Sequence, residues 1–283
     1  MVNKKPIVAI LYDFDKTLCT KEMQEYNFIP SLDTDAPSFW KESKQLSTDK
    51  KMDSILSYMW LMIDKSNKKH KPVHRNNFVE LGKSLRYFPG VEEWFDMIKQ
   101  LCDDVGIEIE HYIISSGLKE IIEGSTIYDK FKEVYACEFY YDQNDVACWP
   151  KNVVNYTTKT QFIYRINKGI LDISNDQALN EYTPEEERRV PFTNMIYIGD
   201  GYSDVPCMKL VKVNGGHSIA VYQKDKAVVN KLIGEGRVNF VCKTNYKEKS
   251  ELSEIVKKII CKISLEEELR QKTLKSNRGV EKK

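Results

Sequence analysis

The sequence predicts an α/β fold with a parallel sheet, because short apolar runs alternate along the chain with segments of helical spacing. The run Ile7–Leu11 contains only apolar residues, which is typical of a strand buried on both faces. His111–Ile114 and Asn194–Ile198 each begin with a polar residue and are otherwise apolar or aromatic, and a helix-compatible segment follows each of them. A chain of 283 residues is long enough for one large core and a second, smaller domain.

A segment of different character interrupts the alternation between residues 20 and 88. It has no convincing strand pattern, whereas Met52–Ile63, for example, carries apolar residues at helical spacing. The basic stretch Lys65–Lys71 is predicted to be a loop. We therefore expect a small helical domain at 20–88, inserted into a core domain formed by 1–19 and 89–283.

The second half of the chain continues the alternation after one exception. Aromatic and polar residues alternate over Lys132–Tyr156, which predicts a β-hairpin. Thr158–Ile170 then has the spacing of a helix, and Leu171–Pro191 is polar and acid-rich, as in an exposed loop or a short helix. From Glu251 onward the sequence favours a helix with a charged tail.

Composition excludes several classes of function. Forty-three basic and 42 acidic residues leave a formal net charge of +1, which gives no basis for binding nucleic acid or an anionic membrane. The seven cysteines form no Cys-x-x-Cys pair and complete no zinc pattern, so reduced thiols are expected. The N-terminal apolar run is too short for a signal peptide, and we expect a cytoplasmic protein.

Three of the predicted strands end in polar clusters, where plain turns would be the ordinary expectation. The clusters are Asp13 with Asp15, Ser115 with Ser116, and Asp200 with Asp204. In open parallel sheets, ligands bind at the carboxyl ends of the strands, near the point where strand order reverses. The three clusters are therefore predicted to meet at one site.

Carboxylates and hydroxyls at one site favour a hard cation such as Mg²⁺, for which Asp13 and Asp200 are natural ligands. A carboxylate held beside Mg²⁺ and a phosphate can act as a nucleophile, so Asp13 could form an aspartyl-phosphate. Asp15 could then protonate the leaving oxygen and later deprotonate water.

A transferring phosphoryl group also needs positive charge and hydrogen-bond donors. Ser115 could supply a donor, and so could the amides at the start of the helix expected to follow it, over Leu118–Glu123. Lys159 could supply the charge. The helix dipole disfavours a lysine at the start of the predicted helix, so this lysine has no structural explanation and is the candidate for a functional role. Lys168 lies near the end of the same helix, where the dipole already explains a cation.

Together these residues resemble the haloacid dehalogenase superfamily of aspartate-nucleophile phosphatases. Asp13–Leu18 matches its DxDxT motif, Ser115 its strand-terminal Ser/Thr, Lys159 its lysine, and Gly199–Asp204 its GDxxxD motif. The motifs occur in the family's order and extend over nearly the whole predicted core. The resemblance implies a Rossmann-like three-layer core with a parallel sheet, a C1-type helical cap at 20–88, and Mg²⁺ as cofactor.

The resemblance also implies a role for each matching position. Asp13 would be the nucleophile and a Mg²⁺ ligand, and Asp15 would be the acid/base and bind the metal through its backbone carbonyl. Asp200 would ligate the metal, and Asp204 would do so directly or through water. The phosphate-binding positions would be Ser115, Ser116, Gly117 and Lys159.

The reaction expected from the resemblance is hydrolysis of a small phosphorylated metabolite. Asp15 favours this over dehalogenation, because dehalogenases of the family typically lack the second aspartate. The layout is similar to the phosphoserine phosphatase branch, and Glu22 lies where that branch places a glutamate near the substrate amine. The branch also expects a cap arginine on the substrate carboxylate, but the first arginines are Arg75 and Arg86, late in the predicted cap.

Two alternatives remain open at the level of sequence. A phosphotransferase of the same superfamily would use the same residues and pass the phosphoryl group to another alcohol. A non-catalytic phospho-acceptor similar to a receiver domain would also gather aspartates around Mg²⁺, but it would lack a cap-sized insertion. The specific substrate and the oligomeric state stay undetermined.

Overall fold

One mixed sheet of seven strands forms the centre of the molecule. The structure, a computed structural model, describes residues 5–280. The strands are β1 (Ile7–Tyr12), β2 (Glu108–Leu118), β3 (Glu133–Tyr141), β4 (Ala147–Asn152), β5 (Met195–Gly199), β6 (His217–Tyr222) and β7 (Phe240–Lys243). Their order in the sheet is β4-β3-β2-β1-β5-β6-β7, and every neighbouring pair is parallel except β3 with β4. The predicted α/β fold is confirmed.

Helices connect the strands and surround the sheet. The α-helices are α1 (Phe28–Ser31), α2 (Ala36–Lys50), α3 (Ser54–Lys68), α4 (Arg75–Gly82), α5 (Val91–Asp104), α6 (Lys119–Glu123), α7 (Lys159–Lys168), α8 (Asp176–Asn180), α9 (Val205–Val213), α10 (Ala227–Gly234) and α11 (Glu251–Val280). Among residues 5–280, no helix combines the length and the apolar character needed to cross a bilayer.

Strand β1 lies in the middle of the sheet because its sequence is apolar throughout. Val8–Tyr12 are fully buried, and β1 pairs with β2 on one side and with β5 on the other. From β1 the chain continues to β2, whereas from β5 it continues to β6 in the opposite direction along the sheet. The strand order therefore reverses between β1 and β5, which is where an open α/β sheet forms a crevice for ligands.

The segment between β1 and α5 is helical, as its sequence predicts. Helices α2 and α3 pack together through Ser57, whose hydroxyl donates to the Ser43 carbonyl at 2.7 Å. Helix α4 lies so close to α6 that a Cβ on Gly124 would stand 1.7 Å from the Val79 carbonyl oxygen. The predicted loop at Lys65–Lys71 begins later than expected, because α3 continues to Lys68.

The division into a core domain and an inserted domain at 20–88 stays a prediction. Its outer ends, residues 1–4 and 281–283, together with the last part of the predicted charged tail, lie outside the described residues. The predicted hairpin is confirmed, since β3 and β4 are antiparallel. Its turn is closed by the Asp142 carboxylate, which accepts from the amides of Asn144 and Val146 at 2.8 and 3.0 Å.

A buried ion pair joins β2 to the loop before β5. Glu110 is 5% exposed and accepts two hydrogen bonds from the Arg189 guanidinium, at 2.7 and 2.5 Å, and one from the Tyr112 hydroxyl at 2.6 Å. Burial raises the pKa of Glu110, but these hydrogen bonds outweigh it and hold the pKa below its usual value. Glu110 is therefore ionised in the fold and depends on its partners.

We expect Arg189→Met to lower the free energy of unfolding by about 3 kcal/mol, because it leaves a buried carboxylate without its main partner. Lys132, 3.7 Å from Glu110, keeps the loss at the lower end of the usual range. Urea unfolding at neutral pH measures the change. The matched control is Arg188→Met, whose ion pair with Glu185 spans 3.9 Å on the surface and contributes less than about 1 kcal/mol. Equal losses in the two variants would refute this account.

Candidate active site

The two aspartates after β1 are buried at the crevice between β1 and β5. Asp13 is 6% exposed and Asp15 is 8% exposed. The Asp13 amide donates to the Ile198 carbonyl at 2.9 Å, which extends the pairing of β1 with β5 by one residue. The strand pairing therefore fixes the backbone from which the Asp13 carboxylate projects.

The chain turns sharply directly after Asp13. The Phe14 carbonyl accepts from the amides of Leu18 and Cys19 at 2.9 and 3.2 Å, and Lys16 adopts a left-handed conformation with φ of 57°. This turn points Asp15 away from Asp13 toward different partners. The Asp15 Oδ1 atom accepts from the Met23 amide at 2.9 Å and lies 3.4 Å from the Cys19 thiol. The two carboxylates therefore have separate supports.

Lys159 is the cation of the site. It is the first residue of α7, is fully buried, and donates from Nζ to Asp13 Oδ1 at 2.8 Å and to Asp204 Oδ1 at 2.7 Å. Burial lowers the pKa of Lys159, but the two carboxylates outweigh it and raise the pKa above its usual value. Lys168, at the other end of α7, instead donates to the carbonyls of Leu179 and Glu181.

Three carboxylates of the site lie close enough to share one metal ion. A ligand atom of each of Asp13, Asp200 and Asp204 lies within 4.8 Å of the other two. Burial raises the pKa of Asp13 to about 7 against the attraction of Lys159, and burial with repulsion from Asp13 raises the pKa of Asp200. The charge of Lys159 by itself therefore does not balance the negative charge of the three carboxylates. An all-oxygen set with excess charge fits Mg²⁺.

Asp204 is more fully engaged by protein than the other two carboxylates. Its Oδ1 atom accepts from Lys159 and from the Tyr197 hydroxyl at 2.8 Å, and its Oδ2 atom lies 3.4 Å from the Gly201 amide. The carboxylate oxygens of Asp13 and Asp200 therefore have more unused lone pairs with which to bind a metal than those of Asp204 have.

The glycine before Asp200 makes room for this arrangement. A Cβ on Gly199 would stand 2.5 Å from Asp204 Oδ2, closer than non-bonded atoms approach. Asp204 cannot easily move aside, because Lys159 and Tyr197 both hold it. The GD pair of the sequence is therefore a packing requirement of the carboxylate cluster.

Ser115, Ser116 and Gly117 lie beside the aspartates but belong to a strand. Strand β2 continues through them to Leu118, and the helix expected to follow them, the five-residue α6, begins at Lys119. The register of the pairing between β2 and β3 shifts between Ile114 and Leu118, so the polar segment forms a bulge near the carboxyl end of β2. The Gly117 amide donates to Ser115 Oγ at 3.1 Å, so it is occupied within the segment.

A cavity of about 650 Å³ lies over these residues. Its floor includes Asp13, Asp15, Ser115, Ser116, Gly117, Lys159 and Asp200. Its opposite wall comes from the helical segment and includes Gln24, Trp40, Ser43, Lys44, Ser47, Thr48, Ser54 and Tyr58. The sequence-predicted residues thus meet at one cavity, except that Asp204 lies just beneath its floor.

The helical segment is tied to the residues around the cavity by two hydrogen bonds that the sequence gave no reason to expect. The Tyr58 hydroxyl of α3 donates to the Ser116 carbonyl at 2.6 Å. The side-chain amide of Asn155 donates to the carboxylate of Asp53, the residue before α3, at 3.0 Å. The sequence analysis also did not predict that Tyr197 holds Asp204. The position of Tyr197, two residues before Gly199, is the feature of the sequence that could have indicated it.

Glu22 also lines the cavity, where it forms an ion pair with Lys16. Arg75 instead pairs with Glu123, and the exposed Arg86 contributes its carbonyl to Thr20 and Tyr26. Neither of these arginines lines the cavity in the described structure.

A model of haloacid dehalogenase-like hydrolases matches residues 10–209, which include every motif residue described above. The chain belongs to this family. A protein of Borreliella burgdorferi, described only as uncharacterized, is 30% identical over 293 residues, covering 92% of this chain and 99% of that protein. The predicted superfamily is confirmed.

Two solved structures illustrate the fold. A probable phosphoserine phosphatase from Vibrio cholerae aligns with a TM-score of 0.58 and 13% identity, over 93% of this chain and 67% of that one. A substrate-bound phosphoserine phosphatase aligns with a TM-score of 0.54 and 16% identity, over 90% and 99% of the two chains. At these identities the likeness concerns the fold.

We expect Gly199→Ala to lower the free energy of unfolding by about 1–3 kcal/mol, because the new methyl group would overlap the fixed Asp204 carboxylate. The matched control is Gly201→Ala, where an added Cβ meets no atom within 4 Å and φ is −145°. Chemical denaturation of the two variants measures the difference. The packing explanation fails if both variants unfold at the same denaturant concentration.

Proposed function

We propose that the chain is a Mg²⁺-dependent phosphomonoester hydrolase that acts on a small phosphorylated metabolite through an aspartyl-phosphate. The observation that carries this proposal is the separate support of two carboxylates at one cavity. Lys159 holds Asp13, and the Met23 amide holds Asp15. Hydrolysis in two steps needs one carboxylate that attacks and one that moves protons.

Asp13 is the nucleophile in this proposal. Lys159 occupies its Oδ1 atom, while Oδ2 makes no hydrogen bond to any residue among 5–280. An Asp13 oxygen forms a bond to phosphorus as the bond from phosphorus to the substrate alcohol breaks. Asp15 donates its proton to the departing alcohol oxygen, so that a neutral alcohol leaves.

The second step restores both carboxylates. Asp15, now ionised, takes a proton from a water molecule as the water oxygen bonds to phosphorus. The bond between phosphorus and Asp13 breaks, which releases inorganic phosphate and leaves Asp15 protonated for the next cycle. A phosphotransferase would differ only in using a second alcohol in place of water.

The donors for the phosphate oxygens come from the floor of the cavity. Lys159 supplies positive charge, and the buried Ser116 Oγ atom has no partner in the described part of the chain. Ser115 accepts from Gly117, which leaves its own hydroxyl proton free to donate. Fixed donors of this kind stabilise charge that develops during phosphoryl transfer.

The carboxylate cluster fits Mg²⁺ as cofactor. Asp13 and Asp200 would hold the ion with the backbone carbonyl of Asp15, and Asp204 would contribute directly or through water. When bound, Mg²⁺ supplies positive charge that offsets the repulsion between Asp13 and the phosphate. Residues 20–88 would act as a cap that covers the site and limits access of water.

A screen of phosphate esters with Mg²⁺, phosphoserine and p-nitrophenyl phosphate among them, tests the proposal through release of inorganic phosphate. We expect turnover that EDTA abolishes and that Asp13→Asn lowers at least about a thousandfold, because the amide is not a nucleophile. The control is Asp33→Asn, an exposed aspartate at φ of 51°, a conformation that asparagine also adopts.

Three results separate the alternatives. Phosphate release that survives in Asp13→Asn would remove Asp13 from the mechanism. Phosphoryl transfer to an added alcohol in preference to water would favour a phosphotransferase. Stable labelling by acetyl phosphate without turnover of any ester would favour the non-catalytic phospho-acceptor.

We expect Lys159→Met to lower kcat by about 10²–10³-fold, since it removes the cation that faces both Asp13 and the phosphate. Lys168→Met is the control, because it removes a lysine from the same helix whose partners are only loop carbonyls. Steady-state kinetics compares the variants, and circular dichroism checks that each is folded. Similar losses of kcat in both variants would contradict the special role of Lys159.

A further inference from the structure

The wall of the cavity opposite the aspartates includes four small hydroxyl side chains beside two aromatic rings and one lysine. Ser43 and Ser47 lie on one face of α2, because residues four apart share a helix face. Thr48 of α2 and Ser54, the first residue of α3, also line this wall. The substrate alcohol would rest against this wall once its phosphate occupied the floor. The wall's chemistry therefore bears on which alcohol leaves.

Most of these hydroxyls already use their protons. Ser47 donates to the Met52 carbonyl at 2.7 Å, and Thr48 donates to the Lys44 carbonyl at 2.9 Å. Their oxygens toward the cavity can therefore only accept. A ligand that itself donates from O–H groups would satisfy them, whereas a carboxylate would not.

Gln24 provides an independent observation that points to a ligand. Its side chain lines the cavity and is only 2% exposed, yet its Oε1 atom has no hydrogen-bond partner in the described structure. A buried amide oxygen without a partner is unfavourable, so it indicates a missing group that donates. Gln24 follows Met23, whose amide holds Asp15, so it lies close to where the alcohol leaves.

The charges around the cavity disfavour an amino acid as the leaving group. Lys16 occupies Glu22, which removes the carboxylate that could receive a substrate ammonium. Lys44 stands on the same wall without an ion pair among the described residues, and its charge repels a cation. No arginine among residues 5–280 lines the cavity to receive a substrate carboxylate in a bidentate pair, and the exposed Lys44 is a weaker partner for one.

We propose that the leaving alcohol is a neutral polyol or sugar whose additional hydroxyl groups donate to Gln24, Ser47 and Thr48. This inference rests on the proposed phosphatase function and specifies its substrate class. Gln24 is then a specificity-determining residue, because its amide can accept from one hydroxyl and donate to a neighbouring one.

The experiment compares kcat/KM for esters with different alcohols. Glycerol 3-phosphate and hexitol 6-phosphates represent neutral polyols, phosphoserine and phosphocholine carry an ammonium group, and phosphoglycolate carries only a carboxylate. p-Nitrophenyl phosphate, whose alcohol has no further hydroxyl, reports the core chemistry. We expect a higher kcat/KM with a polyol phosphate than with any of the three esters whose alcohol is charged. Preference for phosphoserine, phosphocholine or phosphoglycolate would overturn the inference but leave the proposed function intact.

A variant tests Gln24 directly. We expect Gln24→Leu, which is similar in size, to lower kcat/KM for the preferred polyol phosphate about tenfold relative to that for p-nitrophenyl phosphate. Gln24→Asn, which keeps the amide, should lose less, and it serves if the leucine variant does not fold. The control is Gln45→Leu on the exposed face of α2, where the selectivity ratio should stay unchanged.

The remaining outcomes are equally decisive. An unchanged selectivity ratio in Gln24→Leu would remove Gln24 from substrate recognition and refute the inference. Failure of the wild-type protein to release phosphate from any ester, p-nitrophenyl phosphate included, would refute the proposed function and the inference with it.

Discussion

The structure of this site depends on the buried ammonium group of Lys159. It bridges Asp13 and Asp204, residues that lie 146 and 45 positions away in the chain. Without that cation, carboxylates from two strand ends would face one another in a space that excludes water, where repulsion is strong. The bridge therefore joins α7 to the ends of β1 and β5. It explains how three carboxylates, two of them buried and that of Asp200 half-buried, can lie within 4.8 Å of one another.

The bridge also separates the tasks of the carboxylates. Asp204 has its oxygens occupied by Lys159, Tyr197 and Gly201, so it acts mainly as a fixed counter-charge. Asp13 has one oxygen on Lys159 and the other toward the cavity. An attacking group needs such an arrangement, because one oxygen is oriented while the other can still form a bond.

The sequence was informative where general rules of the sheet apply. Apolar β1 and β5 had to be buried, and the polar residues after parallel strands had to meet where the strand order reverses. The helix dipole favoured Lys159 over Lys168 as the lysine of the site. In the structure, Lys159 donates to the Asp13 carboxylate, whereas Lys168 donates to a loop carbonyl. The sequence predicted that Ser115 lies at the site. It did not predict that β2 continues to Leu118, because a Ser-Ser-Gly segment lacks the apolar pattern of a strand.

Contacts between distant segments could not be predicted from the sequence, and they couple the helical segment to the floor of the cavity. Tyr58 donates to the carbonyl of Ser116, so the backbone that carries Ser115 is also the point that α3 touches. On the other side, Met23 donates to Asp15 while Gln24, the next residue, lines the cavity. Any displacement of the helical segment that breaks these bonds would disturb Asp15 and the serines together. In the proposed function, substrate recognition by the wall and proton transfer at the floor therefore share the same supports.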